Sequence, residues 1–422
     1  VKNGQLAEKQ YWDVHFEPNH RKKERVFIEE FMELLEESVR MRLISEVPLG
    51  AFLSGGIDSS TVVALMSREL RIPVKTFTIG FGGDIGEFDD ERRYARLMAE
   101  QCGTEHTELE VSPNFDGLIE EIVRCFDEPF ADDGVIPAYY VCKLAREKVK
   151  VALSGLGGDE AFGGYERHLG FYLGQYFQKL PRHFRGKVVQ GIIERLPEYR
   201  SGWFRTDHLK RFIRSSLSGA AERYLGFSTK INPRYSLDLF PGQGKVLRDA
   251  FASAQDRFLK YFDTDNASDP LDKMFYTDMK MYLPDDILAS TDRLSMRHGL
   301  EVRVPFLDHR LVEYCATIPA ELKLKWFQKK YLLKRAVEPM LPPEVITHKK
   351  QGFVGPTDRW LRTDLRRFTR ERLSEQVLRR HGRLNPIVVT QVLDDHEAGR
   401  ENNDSLIWSL LIFQVWHEQY LH

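Results

Sequence analysis

The chain has 422 residues, of which 42% are hydrophobic and 29% charged, and 61 Lys and Arg against 63 Asp and Glu leave a net charge of −2. That length allows one large core or two to three smaller ones, and the balance of apolar and charged residues excludes both a disordered chain and a membrane bundle. Near-neutral charge provides no global field toward nucleic acid or an anionic membrane, so any polyanion handled here is small and held locally.

The chain opens on Val1 in a polar stretch with neither a signal-like segment nor an initiator methionine, as expected for a portion of a longer protein. Arg25 to Leu43 places Phe27, Ile28, Phe31, Leu34, Leu35 and Val39 at helical spacing, which predicts a helix covering a sheet. Four apolar or β-branched runs then read as strands: Val47 to Leu53, Val74 to Phe81, Thr107 to Val111 and Val149 to Leu153. Amphipathic stretches lie between them, at Ser59 to Leu70, Glu91 to Cys102, Phe115 to Phe126 and Pro137 to Lys148. This alternation predicts a doubly wound α/β fold with a parallel sheet.

Beyond Tyr165 the strand signal fades, and the aromatic, proline-punctuated stretch from about 170 to 265 reads as a helical insertion. Helices dominate again from Asp272 and end in Asp404 to Tyr420, with Asp404 as a candidate N-cap. Its apolar run, Leu406 to Trp416, is broken by Ser409 and Gln414 and falls short of the roughly 20 residues of a membrane span. The arginine-rich segment Arg359 to Arg383 lacks an aromatic ladder and reads as a solvated helix face. Cys102, Cys125, Cys142 and Cys315 form no C-x-x-C, so they suggest free thiols in a reducing cytoplasm.

The sharpest local feature is Ser54-Gly55-Gly56-Ile57-Asp58-Ser59, placed after a strand run and before a helix. Adjacent glycines let backbone N–H groups turn toward a ligand, the serines add hydroxyl donors, and the helix presents its positive end, which together make an anion cradle. No Gly-Lys-Ser/Thr ending follows. Asp58 stands there instead, a hard oxygen ligand suited to Mg²⁺. A second loop, Ser154-Gly155-Leu156-Gly157-Gly158-Asp159-Glu160, follows the fourth strand run and leads into Phe162-Gly163-Gly164-Tyr165. Alone it could be a plain turn. Beside the first loop, at the carboxyl ends of neighbouring parallel strands, it completes a nucleotide site.

These motifs resemble the ATP-pyrophosphatase (PP-loop) synthetase domain of glutamine-dependent asparagine synthetases, whose core is of the adenine nucleotide alpha hydrolase type. The likeness extends through Tyr11-Trp12-Asp13, Tyr282-Leu283-Pro284-Asp285-Asp286, Gly299 to Asp308, Lys350-Gln351-Gly352-Phe353 and Ile407-Trp408. It implies a linker-like segment at 1–24, a PP-loop core at 25–170, the insertion at 171–270 and a helical C-terminal part at 271–422. It also implies that ATP adenylates a carboxylate with release of pyrophosphate, and that ammonia then displaces AMP to form an amide.

By the same resemblance, Ser54, Gly55, Gly56, Asp58 and Ser59 cradle pyrophosphate, and Asp58 and Asp159 share Mg²⁺. Leu53, Ile79, Ser154 and Gly155 frame adenine and ribose. Lys350 acts on developing charge, with a surface lysine as the other reading. Glu301 lines the reacting centre or is an ion-paired structural glutamate. The family's glutaminase half, with its leading cysteine, has no counterpart in these residues, so free ammonia is expected as the nitrogen source unless a glutaminase segment or partner outside this chain supplies it.

Two departures bear on the acceptor. Leu156 stands where relatives often keep a glutamate, and Ala131-Asp132-Asp133-Gly134 stands where a Thr-Thr-Ile-Arg run helps hold aspartate. Aspartate is the expected acceptor, with a surface-polysaccharide sugar or a lactam-forming carboxylate as alternatives. An RNA-thiolating enzyme could use the same cradle, but no cysteine is placed for sulfur transfer and the charge offers no tRNA footprint.

Overall fold

The computed structural model of the chain describes residues 4–82, 91–181, 185, 189, 191, 206–229, 235, 238–242, 244–349, 352 and 354–421. Five parallel strands form its sheet: β1 (Leu49–Phe52), β2 (Lys75–Phe81), β3 (Glu105–Val111), β4 (Val151–Leu153) and β5 (Glu301–Arg303), in the spatial order β3-β2-β1-β4-β5. The four predicted strands are present. β5 was not foreseen, because three residues reading Glu-Val-Arg carry no apolar run, and it becomes a strand only by pairing with β4, Glu301 opposite Val151 and Arg303 opposite Leu153.

Alternation sorts the sheet's side chains to two faces. Ala51, Leu53, Val151 and Leu153 join the core built by Phe27, Phe31, Leu35 and Val39 of helix α1 (Glu24–Arg42) and Val62 and Val63 of α2 (Ile57–Glu69). Phe77 and Ala152 face a second core. The helices α3 (Arg92–Cys102), α4 (Leu118–Phe126) and α5 (Val135–Arg146) occupy the other predicted positions to within a few residues. The loop after β4 enters two short helices, α6 (Gly158–Phe162) and α7 (Glu166–Phe177).

The described part of the predicted insertion is helical, at Thr206–Ser216, Ala220–Ser228 and Gly244–Phe262. The last helix, Asp404–Tyr420, matches its predicted span. Its N-cap, however, is Asn403, and Asp404 is the first helical residue, where its carboxylate accepts from the Ser405 amide at 2.6 Å.

The stretch read as a linker is anchored to the helical half. Val14 and Phe16 are buried, Trp12 Nε1 donates to Glu313 at 2.7 Å, and the Asn19 amide bonds the Thr317 carbonyl at 2.8 Å. Among the described residues, no helix is long and apolar enough to cross a membrane, and all four cysteines are free.

Candidate active site

β1 is paired on one side with β2 and on the other with β4. Chain connections therefore leave β1 and β4 in opposite directions, which opens a crevice at their carboxyl ends. Both glycine loops begin at that crevice. In the first, Gly55 adopts φ +79°, a left-handed conformation that suits glycine and lets the chain reverse into α2.

The hydroxyls of the first loop bond to one another and to the loop amides. Ser54 Oγ and Ser59 Oγ lie 3.0 Å apart, the Ser54 amide donates to Ser59 Oγ at 3.2 Å, and the Gly56 amide donates to Ser54 Oγ at 3.3 Å. Asp58 and Ser59 are buried in the first turn of α2, whose Gly56 cap supplies no side-chain acceptor. The end of the helix thus offers donors and positive potential to an anion.

The second loop interlocks with the first. A Cβ on Gly155 would meet the Ser59 amide nitrogen at 2.5 Å and the Asp58 carbonyl carbon at 2.6 Å, so only glycine lets the two backbones approach. Ser154 is buried, its amide donates to the Arg303 carbonyl at 2.9 Å, and its Oγ receives the Leu156 amide at 3.4 Å. Leu53 is buried on the floor, its amide bonded to Phe77, and Ile79 lies half-buried in neighbouring β2.

Asp58 from one loop and Asp159 from the other converge on a residue the motif reading missed. Lys330 Nζ lies 2.5 Å from Asp58 Oδ2 and 2.6 Å from Asp159 Oδ1, with 5% of its side chain exposed. Lys330 has φ +54° and directly precedes the helix Tyr331–Val337. No sequence signal distinguishes it from Lys329, which pairs with Glu166 at 2.8 Å.

Behind Asp159 the wall is a buried polar network. Burial, with the adjacent charge of Asp159, raises the Glu160 carboxyl to about 7, and Glu160 accepts the Tyr165 hydroxyl at 2.5 Å. The Arg167 guanidinium stands over the rings of Tyr165 and Tyr282 at 4.2 and 4.1 Å and donates to Asp278 at 2.7 Å. Burial works to raise Asp278, but Arg167 and the His168 ring outweigh it and hold the carboxyl down at about 2.

Glu301 is not brought to this mouth. It sits at the amino end of β5, level with the first residue of β4, is 57% exposed, and is bonded by Arg303 Nε at 2.7 Å, which is the ion-paired structural alternative. Its motif neighbours do reach the second loop, since a Cβ on Gly157 would contact Leu307 and Phe306. Lys350 lies outside the described residues. The Ala131–Gly134 stretch is held by the Gly134 amide donating to Asp132 Oδ1 at 2.7 Å, and the charge of Asp132 reaches Tyr282.

Residues 30–418 match the family model described as asparagine synthase. The chain is 32% identical over 417 residues to asparagine synthetase [glutamine-hydrolyzing] 1 of Bacillus subtilis, covering 98% of this chain and 63% of that protein. It is 27% identical over 355 residues to asparagine synthetase [glutamine-hydrolyzing] 3 of the same organism, covering 81% and 50%. It is also 26% identical over 393 residues to the amidase chyE of Penicillium rubens, covering 85% and 57%. The chain thus spans less than two thirds of the length of these relatives. With a family match running from α1 into the last helix, and both glycine loops inside it, the chain belongs to the asparagine synthase family.

Proposed function

We propose that this chain adenylates a carboxylate with ATP, releasing pyrophosphate, and transfers the acyl group to ammonia, with the aspartate side chain as acceptor. The observation that carries this reading is the convergence of Asp58 and Asp159, one from each glycine loop, on the Lys330 ammonium at the mouth between β1 and β4. The names of its Bacillus relatives support the acceptor and the product.

Two carboxylates aimed at one positive centre are a donor set that fits Mg²⁺, which prefers hard oxygen ligands. Asp58 and Asp159 would hold it, and when bound it would neutralise phosphate charge. The chain's own groups do the rest. Amides of the Gly55-Gly56 turn and the first turn of α2, with the Ser54 and Ser59 hydroxyls, receive the pyrophosphate oxygens as the bond to the α-phosphorus breaks. Lys330 supplies positive charge to the same phosphates, and Lys350 supplies it at the acyl-adenylate. The half-buried Leu156 makes an apolar wall that limits water beside the acyl-adenylate.

The test is release of AMP and pyrophosphate from ATP and Mg²⁺ with a panel of carboxylic acids and ammonium. Aspartate should support turnover with ammonium, and the isolated chain should use no glutamine. Asp58→Asn and Asp159→Asn should each abolish pyrophosphate release while leaving the fold intact. Near-wild-type release by both variants would overturn the metal and pyrophosphate assignment.

A further inference from the structure

A cleft of about 530 Å³ lies away from the two glycine loops, between residues 9–13 of the N-terminal segment, the end of the helix Gly244–Phe262 with Tyr261 and Thr264, and one face of the helix Pro270–Lys280. That volume is in the range of small-molecule sites. Tyr276 and Lys280 line it from positions four apart, hence from one helical face, whereas Asp278 between them turns to Arg167 on the opposite side.

Its inner wall is already built. Asp13 accepts from Gln10 at 2.7 Å, from the buried Tyr276 hydroxyl at 2.9 Å and from Lys280 at 3.1 Å, so the Asp13 and Lys280 charges cancel. Two further cations line the cleft, Lys9 and Lys260, and neither has an ion pair or hydrogen bond among the described residues. Aromatic surface lies beside them, including a Tyr11 that is 97% exposed.

We infer that this cleft is a second ligand site, for a small phosphorylated molecule bearing a planar ring, a nucleoside monophosphate. Two ammonium groups without a guanidinium fork act as point charges. They suit the several oxygens of a phosphate better than the planar pair of a carboxylate. Tyr11 and Tyr261 provide rings against which a base can stack, so that the ligand closes the otherwise exposed face of Tyr11.

The test reads the cleft directly rather than through turnover, because AMP also fits the proposed ATP site. Acetylation of individual lysines is followed by mass spectrometry with AMP, adenosine or ribose 5-phosphate as the probe. AMP well above its Kd should slow modification of Lys9 and Lys260 by about fivefold or more, and neither half-molecule should match it at equal concentration. Photo-crosslinking with 8-azido-AMP should label peptides carrying Tyr11 or Tyr261. A Lys9→Glu/Lys260→Glu variant should lose that label while releasing pyrophosphate at the wild-type rate. Unchanged reactivity of both lysines at millimolar AMP, or equal protection by ribose 5-phosphate, would overturn the assignment.

Discussion

Lys330 Nζ lies 2.5 Å from Asp58 Oδ2 across 272 residues of sequence, with both side chains almost wholly buried. Lys330→Met removes the ammonium that Asp58 and Asp159 share, and breaking a buried pair of this kind costs about 3–5 kcal/mol. The metal-free variant should therefore melt well below the wild type, and Mg²⁺ should recover more stability in the variant than in the parent. Pyrophosphate release should fall roughly 10²-fold or more, because a charge near the phosphates is lost. Calorimetry with and without Mg²⁺ checks the first point, and equal metal responses of the two proteins would contradict a shared cation position.

Gly155→Ala should be costly despite its small size. The added methyl would stand 2.5 Å from the Ser59 amide nitrogen and 2.6 Å from the Asp58 carbonyl carbon, both backbone atoms that cannot swing aside. Overpacking of this sort costs about 1–3 kcal/mol. The melting temperature should drop and KM for ATP should rise together, because relief requires moving the start of α2. If both stay unchanged, the loops do not interlock.

Phe16→Ala should destabilise the chain by about 3 kcal/mol, the usual cost of emptying a buried aromatic site. Phe16 is 4% exposed and its ring lies 5.1 Å from Lys323 Nζ, although the family match begins only at residue 30. A urea titration that gave the same midpoint for variant and parent would show that the segment before α1 adds nothing to the fold.

Asp272 makes one part of stability depend on pH. Burial raises its carboxyl from 3.8 to about 6, against the opposing charge of Lys323. As pH rises the unfolded chain releases this proton first, so the contribution is fully present below 3.8 and is lost as pH climbs through about 6. The loss amounts to about 3 kcal/mol for two units at 1.36 kcal/mol each. Asp272→Asn should remove that slope. Urea-unfolding free energies of the two proteins across the window test it, and parallel curves would sink the assignment.

Strand–helix alternation between residues 47 and 154 and both glycine loops could be read directly from the sequence. A turn that needs left-handed glycine and a strand that needs an apolar run are each encoded within about ten residues. Asp58 and Asp159 could be paired in advance for the same reason, since each follows a glycine loop at the carboxyl end of a strand. Glu301 shows the limit of a motif. Its neighbours Phe306 and Leu307 reach the second loop, while Glu301 itself sits at the amino end of β5, ion-paired with Arg303.

Other features became visible only in three dimensions. β5 exists because Glu301 to Arg303 lie against β4 from 150 residues downstream, with no apolar periodicity of their own. Lys330 is chosen over Lys329 by a backbone turn at φ +54° that buries one ammonium between two carboxylates and leaves its neighbour at the surface with Glu166. The anchoring of Asp13 and Phe16 and the basic, aromatic cleft beside them likewise join segments more than 240 residues apart. Along the chain, local backbone chemistry and side-chain period are legible. Which distant charges share one buried position is set by packing, because only the assembled core removes water from around them and makes their pairing decisive.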